Sequence, residues 1–142
     1  MENSTKTTLT VVTTINAPIE KVWACWTLPE HITQWNNATD DWHTPKAEND
    51  LRVGGSFMSR MEAKDGSFAF DFTGMYNAVT TNEYIAYTLG DGRKVNVSFT
   101  TNSGSVIVTE NFEAEGINAL EMQQAGWQAI LTNFKKYTEA TS

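Results

Sequence analysis

Glu110 is the residue whose type and spacing most invite chemistry. It falls in register with Val106, Val108 and Phe112, and alternate residues of a strand share a face. A strand there aims the carboxyl at the apolar side. A carboxylate so placed is costly unless paired or hydrogen-bonded, and its pKa rises. Such a group serves as a polar anchor for a ligand or as a general acid or base. The plainer alternative is a bulge or strand end that lets Glu110 reach water or an arginine.

His43 is the second candidate. It stands beside Trp42, with Asp40 and Asp41 just before it, in a stretch that reads as a loop. A histidine among carboxylates can act as a base or touch a ligand, although a solvated loop histidine is the simpler reading. His31 and His43 lack ligand spacing, so no metal site is expected. Cys25, between Trp23 and Trp26, has no partner base nearby and reads as a small core residue. As the sole cysteine it cannot form an internal disulfide. Gly54-Gly55 is followed by neither a helix nor a Lys-Ser/Thr pair, so it marks a bend in a strand and not a phosphate loop. With no nucleophile elbow and no dinucleotide fingerprint either, no cofactor is expected.

These residues must be held by elements of two periods. Residues 7–15 are rich in Thr, Val and Ile and read as a first strand. Asn16-Ala17-Pro18 predicts a helix start carrying Val22, Trp23 and Trp26, and Thr27-Leu28-Pro29-Glu30 predicts a capping box opening a second short helix to about Trp35. From Leu51 the period becomes two, with Val53, Gly55, Phe57, Ser59 and Met61 on one face. Asp65-Gly66, Asp91-Gly92 and Asn102-Ser103-Gly104 then punctuate a hairpin series. Its strands carry Phe68, Phe70, Phe72 and Tyr76, then residues 84–89, then Val95, Val97 and Phe99, then Val106 to Phe112. From Asn118, the expected cap, to about Tyr137, helical spacing returns with Leu120, Trp127, Ile130, Leu131 and Phe134. The order is strand, two short helices, five strands in hairpin series and one long helix. That predicts an α+β fold with an antiparallel sheet and helices on one face.

The chain has 142 residues, 40% hydrophobic and 11% aromatic, enough for one domain over residues 1–142. Order is expected from about residue 6 to 138, with frayed ends outside. Ten Lys plus Arg against 17 Asp plus Glu leave a net charge of −7. That balance repels phosphate backbones and anionic leaflets, so neither nucleic acid nor membrane is an expected partner. No secretory signal and no run of 18 apolar residues is present, so a cytoplasmic protein is expected.

The run Ile15-Asn16-Ala17-Pro18-Ile19-Glu20-Lys21-Val22-Trp23 resembles the opening of the START-like (SRPBCC, Bet v-like) superfamily. Trp35, Asp50-Leu51-Arg52-Val53-Gly54-Gly55-Ser56-Phe57, Gly74 and Gly126-Trp127 are similar to its branch of activator-of-heat-shock-ATPase homologues. The likeness runs from about Leu9 to Tyr137. It implies a helix-grip fold, a sheet wrapped around the C-terminal helix, with a cavity for an apolar or amphipathic small molecule. Members include ligand carriers, cyclases and co-chaperone domains, so the fold does not choose among them.

A curled sheet and a straight helix cannot touch along their whole length, and a hollow where they diverge is a natural ligand site. Trp42, Phe57, Phe70, Phe72, Tyr76, Phe99, Glu110, Gln123 and Trp127 are its expected wall. Binding of a small apolar ligand is the first functional expectation. The alternatives are proton-transfer chemistry in the same cavity by Glu110 or His43, and a chaperone-contacting domain that modulates an ATPase.

Overall fold

The computed structural model describes residues 7–141. Strand β1 (Thr8–Ile15) leads into helices α1 (Ile19–Thr27) and α2 (Pro29–Trp35). Strands β2 (Trp42–Asn49), β3 (Ser56–Ala63), β4 (Ala69–Thr80), β5 (Tyr84–Leu89), β6 (Lys94–Asn102) and β7 (Ser105–Glu113) follow, and helix α3 (Leu120–Ala140) closes the chain. The strands form one antiparallel sheet in the order β1-β7-β6-β5-β4-β3-β2. Consecutive hairpins build β2 to β7, and β1 adds to the far edge beside β7, with Val11 opposite Glu110 and Ile15 opposite Val106. The sheet curls around α3, which makes this an α+β helix-grip fold.

Turn chemistry sets the hairpins. Gly66, Gly92, Ser103 and Gly104 all adopt positive φ at the tips, the conformation tight hairpin turns require. Curvature comes from residues 50–55 and the strand beside them. Gly54 has φ +84°, and a Cβ on Gly55 would lie 2.2 Å from the Asp50 carbonyl oxygen. This folded loop bonds to β4 from outside the regular ladder, the Gly54 N–H donating to the Tyr76 carbonyl and the Tyr76 N–H to that of Gly55. Gly74, next along β4, leaves room for the Phe57 ring, which a Cβ would meet at 2.5 Å.

Several local expectations give way to tertiary contacts. Residues 42–49 are a strand, not a loop, so six strands rather than five follow the helices. An edge strand tolerates Pro45 and an irregular pattern, and the register of β2 on β3 shifts between His43 and Lys46. The strand expected from Leu51 begins at Ser56, because residues 50–55 are that folded loop. None of the three helix caps forms as predicted. The Asn16 N–H donates to Glu139, the Thr27 hydroxyl to the Trp23 carbonyl, and Asn118 to the Glu115 carboxylate. Pro18, Leu28 and Ala119 occupy the cap positions with no side-chain bond. At the C-terminus α3 continues to Ala140, past the expected limit of order at about residue 138, and Thr138 is fully buried. The frayed end expected over residues 1–5 lies outside the described residues.

The core sits between the inner sheet face and the helices. Val11, Ile15, Val97, Val106, Val108 and Phe112 are almost completely buried there, with Val22 and Phe134 from the helices.

Candidate functional site

A cavity of about 410 Å³ lies between the sheet and the first half of α3. Its size is within the range of small-molecule sites. Phe57, Phe72, Ile85 and Tyr87 contribute to the sheet side, Met122, Trp127 and Ile130 to the helix side, and Trp26 and Trp35 to the end wall. The wall is predominantly apolar, so its few polar groups are conspicuous.

Glu110 is the foremost of these. In its row across the sheet it is flanked by Val11 of β1 and Val97 of β6, so no neighbouring strand supplies a countercharge. It is 6% exposed, lines the cavity, and has no hydrogen-bond partner among the described residues. Burial alone pushes its carboxyl up to about 8. The group is therefore largely neutral at pH 7 and can donate a proton or a hydrogen bond into the hollow. Tyr87, two strands away on β5, is buried in the same wall with its hydroxyl also unpartnered among the described residues. Burial raises its pKa well above the usual phenol value, and the nearby Glu110 adds to the rise. Ser59 is a second buried hydroxyl on the wall without a described partner.

Other polar residues of the wall are already engaged. The Tyr76 hydroxyl donates to Asn49 Oδ1 at 2.5 Å, and Asn49 Nδ2 donates to the Thr27 carbonyl at 2.6 Å. That relay ties β4 and β2 to α1, and burial pushes the Tyr76 phenol up to about 12. Gln123 spends its amide on the β7–α3 connection. It accepts from the Glu115 N–H at 2.8 Å and donates to the carbonyls of Glu115 and Asn118. Arg93 lines the cavity as well, held by Asp91 at 2.8 Å.

Of the residues expected on the wall, Phe57, Phe70, Phe72, Tyr76, Glu110, Gln123 and Trp127 do line the cavity. Phe99 does not. It is 5% exposed and packs edge-on against Trp23 and Trp26, at 5.3 and 5.7 Å, where α1 covers the sheet. Trp42 is also absent from the wall, because the edge strand β2 carries it to the sheet margin against Phe68 and Phe70. His43 follows it there and faces Glu62 at 3.4 Å with 43% of its side chain exposed, so it cannot serve a reaction inside the cavity. Cys25 is buried in the core, and burial raises its thiol pKa.

Among the wall residues that sequence reasoning missed are Tyr87, Ser59, Asn49 and Arg93. Parity was the available signal for the first two. Tyr87 alternates with Ile85 and Leu89, and Ser59 with Phe57 and Met61. For Asn49 there is no such signal, since residues 42–49 do not alternate as a strand does.

The chain's relatives agree with this architecture. The sequence profile described as Activator of Hsp90 ATPase homolog 1-like protein matches residues 16–139. A solution structure of an AHSA1-like protein from Aeromonas hydrophila is 44% identical, with TM-score 0.89 over 94% of this chain and 93% of that one. A solution structure from Cytophaga hutchinsonii is 51% identical, with TM-score 0.79 over 94% and 92%. A crystal structure from Chromobacterium violaceum shares the fold at 22% identity and TM-score 0.84, covering 94% and 98%. No curated protein matches the sequence. The fold is one that commonly binds hydrophobic ligands. The profile match and the 44% identical relative together show that the chain belongs to the Activator of Hsp90 ATPase homolog 1-like family of the START-like superfamily.

Proposed function

We propose that this protein binds an apolar or amphipathic small molecule in the cavity between the sheet and α3. One observation carries the reading: a hollow of about 410 Å³ with aromatic walls contains an acidic side chain that no described residue satisfies. Filling the hollow removes apolar surface from water, at about 25 cal/mol per Å². A polar end of the ligand meets Glu110 and Tyr87. Ligand at a hundredfold excess over Kd stabilises the native state by about 2.7 kcal/mol, a shift of several degrees in Tm. Thermal melts against a panel of lipids, isoprenoids and polyketide-like aromatics are expected to show such shifts. A panel without a single shift, together with native mass spectrometry showing no retained small molecule, would end this reading.

A second reading is favoured by the position of the Glu110 carboxyl, near neutrality at about 8. General acids and bases work best close to the operating pH. On this reading the bound molecule is also a substrate for proton transfer. Glu110→Gln is then expected to abolish turnover and leave binding largely intact. A ligand always released chemically unchanged would sink it.

A further inference from the structure

Resting on the cavity as a ligand site, we propose that the molecule it takes is a hydrophobic amine, held as its ammonium ion by the Glu110 carboxylate against the aromatic wall. The geometry favours this class over an acid or a neutral alcohol. A buried carboxyl with no hydrogen bond among the described residues is best relieved by a cation, because charge-assisted hydrogen bonds are roughly twice as strong as neutral ones. Tyr87, buried on the same wall and close enough to feel the Glu110 charge, offers a hydroxyl oxygen to accept a second ammonium proton.

The rings supply the second attraction. Trp127 stacks on Phe112 at 4.0 Å and 5°. Phe112 is fully buried and does not line the cavity, whereas Trp127 does. Phe112 covers one face of the indole, so the part of Trp127 that borders the hollow is its remaining surface, and indole is the best of the aromatic partners for a cation.

Charge placement points the same way. Around Glu110, β1 and β6 contribute Val11 and Val97, and α3 contributes no charged side chain to the wall. β4 and β5 contribute the phenols Tyr76 and Tyr87, and β2 contributes Glu48, whose side chain is largely exposed and faces Lys46. The remaining ionisable wall residues are Arg93, tied to Asp91, and Glu115, occupied by the N–H groups of Ile117 and Asn118. A fatty-acid carboxylate would meet Glu110 on a wall whose one described cation, Arg93, is already paired with Asp91. The overall charge of −7 also concentrates cations at the surface and repels anions.

Binding of an ammonium drives the proton of Glu110 into solvent, since only the ionised carboxyl completes the pair. Affinity for the amine therefore rises with pH until the free carboxyl has ionised, at about 8. Affinity for a neutral ligand that accepts a hydrogen bond from the protonated carboxyl instead stays flat and then falls above that point.

The test uses phenylhexylamine, phenylhexanol and phenylhexanoate, which share one skeleton, in calorimetric titrations of the whole chain. The amine is expected to bind at least about tenfold more tightly than the alcohol at pH 8, with the carboxylate weakest. Its Kd is expected to fall about tenfold between pH 6 and 7. Comparing two buffers of different ionisation heat at pH 7 is expected to count about one proton released per amine and none per alcohol. Glu110→Gln is expected to erase the amine's advantage while the alcohol still binds. An alcohol or carboxylate as tight as the amine overturns the proposal, as does an amine that binds wild type without releasing a proton, a result that needs no variant. If another panel member binds and the amine does not, the amine proposal fails and the cavity reading stands. If nothing binds, both fail.

Discussion

The two halves of α3 face the same sheet with the same kinds of side chain, and only one half is filled. Toward the C-terminus, Phe134 touches Trp26 and Trp35, each with ring centroids 4.8 Å away, and Trp26 in turn contacts Phe99. Toward the N-terminus, Trp127 contacts Phe72 at 6.4 Å across the edge of a hollow. The difference is a plug. α1 and α2 insert three indoles between sheet and helix at one end, and among the described residues no element does so at the other. Polar groups divide less cleanly, since the fully buried Thr138 hydroxyl in the C-terminal half of α3 also lacks a hydrogen-bond partner among the described residues. Beside the plug, Trp35 Nε1 donates to the Cys25 carbonyl at 2.8 Å and the Thr27 hydroxyl donates to the Trp23 carbonyl at 2.8 Å. Along the hollow, Glu110, Tyr87 and Ser59 have no described partner. Packing alone decides which aromatic surface is core and which is binding wall.

The hardest way to break the comparison is to hollow out the filled end. Phe134 is fully buried between two tryptophans, so Phe134→Ala removes a ring that neighbours cannot replace. The expected loss is near the top of the 3–5 kcal/mol range for such truncations. Urea denaturation with an unchanged m-value checks it. A loss below about 1 kcal/mol would mean that this end is no better packed than the cavity.

Glu110 sharpens the comparison from the other side. Its carboxyl ionises near the usual 4.5 when unfolded and at about 8 when folded. Between those values the native state holds a proton that the unfolded state has released, so stability falls as pH rises. The slope is about 1.4 kcal/mol per pH unit, or about 4 kcal/mol from pH 5 to pH 8. Above about 8 both states are ionised and the loss is complete. Glu110→Gln cannot titrate, so its stability is expected to lack this slope. Denaturation midpoints of both proteins at pH 5, 6, 7 and 8 measure the difference. Parallel profiles would show that water or a counterion reaches the carboxylate.

The alternation of β5, β6 and β7, their turn residues and the long final helix were all legible, because each follows from local chemistry: period two, positive-φ turns, period 3.6. Glu110 was legible for the opposite reason, as a charge that breaks an apolar alternation. Strand β2 was not. Pro45 and the shift between His43 and Lys46 spoil its pattern, and its identity comes from pairing with β3 rather than from its own residues. The caps failed for other reasons: Thr27 and Asn118 bond back to Trp23 and Glu115 instead of forward into the next helix, and the Asn16 backbone N–H is taken by Glu139 from the far end of the chain. The hollow was legible only as a consequence of topology. Phe99 and Phe72 are the same residue type on neighbouring parts of one face, and nothing in the sequence says which one α1 covers.

The smallest effects separate two tryptophans by environment. Trp35 is 6% exposed and its Nε1 is bonded to the Cys25 carbonyl. Trp35→Phe removes a buried donor and part of a packed ring, and is expected to cost about 2–3 kcal/mol. Trp127 is half-buried, and its Nε1 has no hydrogen-bond partner among the described residues. A phenyl ring at that position still stacks on Phe112, and the volume given up adjoins space that is already empty. Trp127→Phe is therefore expected to cost less than about 1 kcal/mol. The same substitution at two sites on the wall of one interior should differ by a factor of two or more in denaturation free energy. Equal costs would mean that the hollow is closed in solution and that Trp127 is packed as tightly as Trp35.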